Sequence, residues 1–119
     1  MLVTAGNTVV LIIALLHIYI LVLEMFMWQT PKAMRAFGTT VEFAEQTKAM
    51  AANQGLYNGF LAAGLLWGWY LGEAGYSIKL FFLGCVLVAG IYGAATVNKK
   101  ILFIQSVPAL IGISLLFLS

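Results

Sequence analysis

The sequence predicts an all-α integral membrane protein: a four-helix bundle of up-down-up-down topology, with a short interfacial amphipathic helix after the first span. Composition is the first reason. The chain is 63% hydrophobic and 8% charged, against about 25% charged residues in soluble domains, and its mean hydropathy is +1.02. A 119-residue soluble fold could not hide this much apolar surface. Segmentation is the second reason. Four runs, about 3–28, 51–72, 77–97 and 101–118, approach the roughly 20 apolar residues that cross a bilayer. The whole chain, 1–119, reads as one transmembrane domain.

The first run reads as a retained helix. Residues 1–10 lack Lys and Arg, and no small-residue cleavage site follows, so a signal peptide is not indicated. Residues 29–50 form the one long connection and carry Lys32, Arg35, Glu42, Glu45 and Lys48, which places them in water. Pro31 after Thr30 suits the first position of a helix. Residues 31–37 then form the interfacial helix, with Met34 and Phe37 toward lipid and Lys32 and Arg35 toward headgroups. Gly38-Thr39-Thr40 ends it. Thr40 offers half of a capping box, because Phe43 stands where Glu would complete it. The second run follows directly. Glu73-Ala74-Gly75-Tyr76 and Asn98-Lys99-Lys100 are tight connections, so runs two, three and four are antiparallel neighbours.

Basic residues set the orientation. Lys32, Arg35, Lys48, Lys99 and Lys100 fall on one side and Lys79 on the other, which puts the first group in the cytoplasm and both termini outside it. Trp67, Trp69, Tyr70 and Tyr76 mark the outer interface and Trp28 the inner one. Small residues recur at four-residue spacing: Ala51, Gly55, Gly59 and Ala63, then Gly64, Gly68 and Gly72, with Gly90 and Ala94 in the third run. Such stripes serve close helix contacts within or between subunits. Pro108 and Gly112 predict a kink in the fourth run that frees a backbone carbonyl near residue 104.

Several chemistries are excluded. A net charge of +2 without basic stretches between aromatics gives no nucleic-acid surface. One cysteine, Cys85, and one histidine, His17, give neither an internal disulfide nor a metal set. No hydrolase triad, nucleotide loop or cofactor motif is present. No metal or cofactor is expected.

Glu24 carries the functional signal. No Lys, Arg, Asp or Glu precedes it, and Met25-Phe26-Met27-Trp28 follows. A carboxylate at membrane depth is costly unless paired, protonated or wetted, which makes it a candidate site. His17 lies two turns earlier on the same face, near the midplane, with Glu24 roughly 10 Å deeper toward the cytoplasm. The second run adds Asn53, Gln54, Tyr57 and Asn58 in its first turns, the third adds Tyr92, and the fourth adds Gln105. All of these fall in the cytoplasmic half, where lipid cannot satisfy them, so they are expected to face one another or a wet pocket. The bland alternatives are a snorkelling Glu24, a structural His17 and amides that only join helices.

The segments His17-x-Tyr19-x4-Glu24-Met25-Phe26-x-Trp28-x2-Pro31, Phe37-Gly38 and Asn53-Gln54-Gly55-Leu56-Tyr57-Asn58-Gly59-Phe60-Leu61-Ala62-Ala63-Gly64-Leu65 resemble DUF1304, a family of small bacterial membrane proteins. The resemblance implies four spans in the bacterial inner membrane and a shared polar constellation, and no activity. The residues themselves suggest binding or transport of a small molecule through a polar pocket. Glu24 is its ionisable centre, with His17, Asn53, Gln54, Tyr57, Asn58, Tyr92 and Gln105 as further ligand- or proton-binding groups. A membrane enzyme or binding protein for a lipid-like molecule, or a non-catalytic structural subunit, are the alternatives, so enzymatic activity is left open. The bilayer and an unidentified ligand are the expected partners. Transport favours a homodimer, because one four-helix bundle is narrow for an alternating path.

Overall fold

The structure, a computed structural model, describes all residues from Met1 to Ser119. It is entirely helical: α1 (Leu2–Phe26), α2 (Pro31–Phe37), α3 (Val41–Tyr70), a 3₁₀ turn (Gly72–Gly75), α4 (Tyr76–Thr96), a π-helical turn (Leu102–Ser106) and α5 (Val107–Leu118). The chain packs as two compact units, one of Met1–Leu15 with Leu61–Ser119 and one of Leu16–Phe60.

Two helical segments, Leu2–Phe26 and Gly72–Thr96, are long and apolar enough to cross a membrane, and Leu102–Leu118 is a shorter apolar helix. In their most apolar stretches only 28% and 22% of residues are buried by the chain itself. A core helix of a soluble domain would be mostly buried. A helix that is apolar all round and yet exposed needs another apolar phase around it.

In the larger unit the core joins Val10 and Ile13 of α1, Leu65 of α3, Leu83 and Val86 of α4, and Leu116 of α5. Glycine lets these helices approach. A Cβ on Gly112 would meet Leu83 and Val9 at 3.2 Å, and one on Gly90 would meet the Ser106 backbone nitrogen at 2.7 Å. Ser106 also donates its hydroxyl to the Leu87 carbonyl at 2.9 Å. Where a kink was expected before Pro108, the helix has a π turn. It closes with the Val107 N–H donating to the Leu102 carbonyl just before the proline.

Lys79, the one basic residue outside the two basic connections, is buried. It lies in the first turns of α4 with 2% of its surface accessible. Its stem crosses Gly68, where any Cβ would come within 2.7 Å of the Lys79 Cγ. Its ammonium donates to Asn7 Oδ1 at 2.8 Å and to the Gly72 carbonyl at 3.2 Å.

The smaller unit is a hairpin of the second half of α1 and the first half of α3, with α2 between them in sequence. The α2 boundaries match the sequence reading. The Thr30 hydroxyl accepts from the Ala33 N–H, and Gly38 closes the helix in the left-handed conformation, φ 68°. Thr40 starts α3 by accepting from the Phe43 N–H at 3.1 Å. No break separates the charged residues 41–50 from the apolar run, so α3 extends for 30 residues, about 45 Å. Gly55 and Gly59 sit against Leu21 and Met25 of α1. The small-residue stripe of α3 is therefore consumed inside the chain.

Candidate functional site

Antiparallel packing of α1 on α3 brings Glu24 opposite Asn58. The close approach at Gly55 makes this possible: a Cβ there would lie 3.1 Å from the Glu24 Cβ and 3.2 Å from the Leu21 carbonyl oxygen. The Asn58 amide donates to Glu24 Oε1 at 2.7 Å and also to the Gln54 carbonyl of its own helix. No cation comes within salt-bridge distance of Glu24, since the one ion pair of the chain joins Lys48 to Glu45 at 3.3 Å. The carboxylate is half-buried and makes no other hydrogen bond.

Glu24 also borders a cleft of about 390 Å³, formed by residues 24–30 at the end of α1 together with Lys48 and Ala49 of α3. The walls are held from outside. The Trp28 indole N–H donates to the Thr47 hydroxyl at 3.1 Å, and its ring stands 5.0 Å from that of Phe37. The Gln29 amide donates to Glu45 Oε2 at 2.5 Å. Glu45 also accepts from Lys48, and these two donors hold its carboxyl below the ordinary value of 4.5. The Thr30 hydroxyl donates to the Met27 carbonyl at 2.7 Å. On α2, the Lys32 ammonium lies over the Tyr19 ring, 5.5 Å from its centre.

Of the residues expected at the site, Glu24 and Asn58 meet, and Glu24 alone lines the cleft. His17 is fully buried, makes its own contacts, and lies off the cleft. Asn53, Gln54 and Tyr57 are exposed on α3, and the Asn53 amide returns to the Ala49 carbonyl one turn back. Tyr92 is exposed and Gln105 is half-buried in the π turn; neither lines the cleft. Sequence reasoning missed Gln29, Thr30 and Lys48 as cleft residues. Bringing Gln29 and Thr30 to the same cleft as Lys48 depends on how the connection after α1 folds back onto α3, where Gln29 bonds Glu45 and Trp28 bonds Thr47.

These features define a class: small all-helical chains with two helices long and apolar enough for a membrane and a cleft bordered by a glutamate at the end of the first. The chain belongs to the DUF1304 family, proteins of unknown function, whose pattern it matches over residues 11–117. It is also 30% identical to the uncharacterised protein YpaA of Lactococcus lactis subsp. lactis (strain IL1403) over 105 residues, covering 87% of this chain and 88% of that one. No solved structure matches it.

Proposed function

We propose that this chain is a four-span protein of the bacterial inner membrane that binds or transports a small molecule at the cleft beside Glu24, with both termini outside the cytoplasm. One observation carries the reading. The Glu24 carboxylate is fixed through one oxygen by Asn58 and borders open space, instead of being closed off by a second donor or a cation. Its second oxygen makes no hydrogen bond within the chain and so keeps acceptor capacity for a bound molecule. The cleft volume suits a small organic ligand, for which pockets of about 300–1,000 Å³ are usual.

The exposed apolar faces of α1 and α4 support the bilayer as partner, and the basic residues of α2, early α3 and the turn after α4 support the orientation. A transport role asks for a second copy. Since Gly55, Gly59, Gly64 and Gly68 contact the chain's own side chains, that copy would use a face other than the glycine stripe.

Hydrophobic carbodiimide on protein in lipid nanodiscs, followed by peptide mapping, tests the cleft. An adduct on Glu24, absent in Glu24→Gln, is the expected outcome. Modification of exposed Glu42 and Glu73 with none at Glu24 would show a carboxylate closed to small molecules and overturn the reading.

A further inference from the structure

Resting on the reading of α3 as a membrane span, we infer that one face of α3, from Phe43 to Phe60, is a seam on which a second copy of this chain packs in parallel. Phe43, Gln46, Met50, Asn53, Tyr57 and Phe60 follow one another at alternating steps of three and four residues, the a and d positions of a heptad repeat. All six are exposed, and Phe43, Met50, Tyr57 and Phe60 each keep half or more of their surface. The side of α3 that packs on α1 is a different one: Ala44, Ala51 and Gly55 are buried, and Gly55 meets Glu24 and Met25.

Neither lipid nor water suits the whole of this face. Counted back from Tyr70 at the outer interface, about 20 residues at ~1.5 Å each cross the roughly 30 Å hydrocarbon core, which sets its cytoplasmic boundary near Met50. Asn53 and Tyr57 then lie inside the core, and Phe43 about two turns outside it. The Asn53 amide spends one N–H on the Ala49 carbonyl and keeps the other, together with its oxygen. The Tyr57 hydroxyl bonds nothing in the chain, and its ring stands 6.1 Å from that of Phe60. Lipid cannot satisfy the amide and the hydroxyl, and water disfavours the exposed phenyl ring. One helix lying along the seam covers both.

The chemistry of the seam fits an identical partner. Copies inserted in one membrane share an orientation, so a two-fold axis along the membrane normal sets α3 beside α3 in parallel, with like residues at like depth. The six seam residues carry no charge, and the polar ones, the Gln46 and Asn53 amides and the Tyr57 hydroxyl, are each donor and acceptor at once. Each can therefore pair with its own counterpart. The flanking positions agree, since Glu42 and Ala49 of one copy face Thr47 and Gln54 of the other, with no like charges opposed. Asn53 sits among apolar residues and fixes the register, because a slipped pairing would leave its amide in lipid.

Single-cysteine variants of the full chain in a Cys85→Ala background, oxidised with copper phenanthroline in bacterial membranes, test the seam. Met50→Cys, Asn53→Cys and Phe60→Cys are expected to give disulfide-linked dimers of twice the chain mass. Lys48→Cys and Val88→Cys, exposed but off the seam, are expected to stay monomeric. Photobleaching step counts on labelled protein diluted in lipid supply a second readout. There Asn53→Ala and Tyr57→Phe should each weaken the dimer about threefold, the effect of one average hydrogen bond between membrane helices. Cross-linking through Lys48 or Val88 in place of the seam positions overturns the inference. So does a chain that stays monomeric at high density in the bilayer, or a cross-linked product whose second component is a different protein. Those results leave the membrane reading standing. Recovery of the protein in the soluble fraction would overturn that reading, and the inference with it.

Discussion

Asn58 and Glu24 form the contact on which the smaller unit turns. Asn58→Ala removes the one donor to a half-buried carboxylate and is expected to cost about 1–2 kcal/mol, at the upper end for polar contacts between membrane helices. Glu24→Gln retains the shape and one hydrogen bond and costs less. Reversible unfolding in mixed detergent micelles checks the order. Glu45 predicts a pH effect whose sign follows from its donors. Gln29 and Lys48 favour the charged form, so the folded-state value lies below 4.5. Their stabilisation is complete above the unfolded value and is lost as pH falls through the folded one. The gap in thermal stability between the wild type and Glu45→Gln should therefore be full near neutrality and close as the pH falls through the lowered folded-state value. Glu24 was legible because an acid in an apolar run stands out against its neighbours. Its pairing with Asn58, and not with His17, was not legible. Residue spacing on one helix gives a shared face, but the partner across the contact depends on the register of α1 against α3, which the glycines set.

At the level of helices, local chemistry was readable in detail where a cap or a turn residue decides the outcome. Thr30, Pro31 and Gly38 bound α2 at both ends. Thr30→Ala should lower its stability by about 1 kcal/mol, seen as faster amide exchange across residues 31–37. The glycines of α4 give a sharper contrast. Gly90 abuts the Ser106 backbone, whereas nothing lies within 4 Å of a Cβ on Gly84. Gly90→Ala is expected to destabilise by about 1–3 kcal/mol through overpacking. Gly84→Ala should be neutral or gain up to about 1 kcal/mol from helix propensity. Thermal unfolding of the two variants decides between this account and one in which both glycines only loosen the helix. The small-residue stripe was visible in the sequence, but its use was not. Spacing shows where backbones can approach, and only the packed structure shows that Leu21, Phe82 and Lys79 occupy the space. Lys79 illustrates the same limit, since a lysine at a helix start reads as exposed until Gly68, Asn7 and the Gly72 carbonyl enclose it.

For the whole molecule, the all-helical class was legible in the long apolar runs, which the structure folds as helices. The large apolar side chains left exposed, among them Ile12, Leu15, Phe81, Val88 and Ile91, support the bilayer as partner. The protein is expected to stay with membranes through alkaline carbonate washing and to leave them only in detergent; release by carbonate would contradict the bilayer as its solvent. The proposed orientation, with the basic residues of α2, early α3 and the turn after α4 in the cytoplasm, is open to a direct test. Single cysteines introduced at Ser119 and at Lys99, in a Cys85→Ala background, should label from opposite sides of the membrane, with Ser119 outside. The expectation that eight polar residues converge on one pocket was broader than what the cleft gathers, because a helix turns some of its polar groups away from any one neighbour. The decisive measurement is a high-resolution density map of the protein in lipid nanodiscs, read at the end of α1. The account predicts Asn58 within hydrogen-bond distance of one Glu24 oxygen, and ordered ligand or water density against the other. A dry cleft filled by the protein's own side chains, with both Glu24 oxygens paired inside the packing, would contradict it.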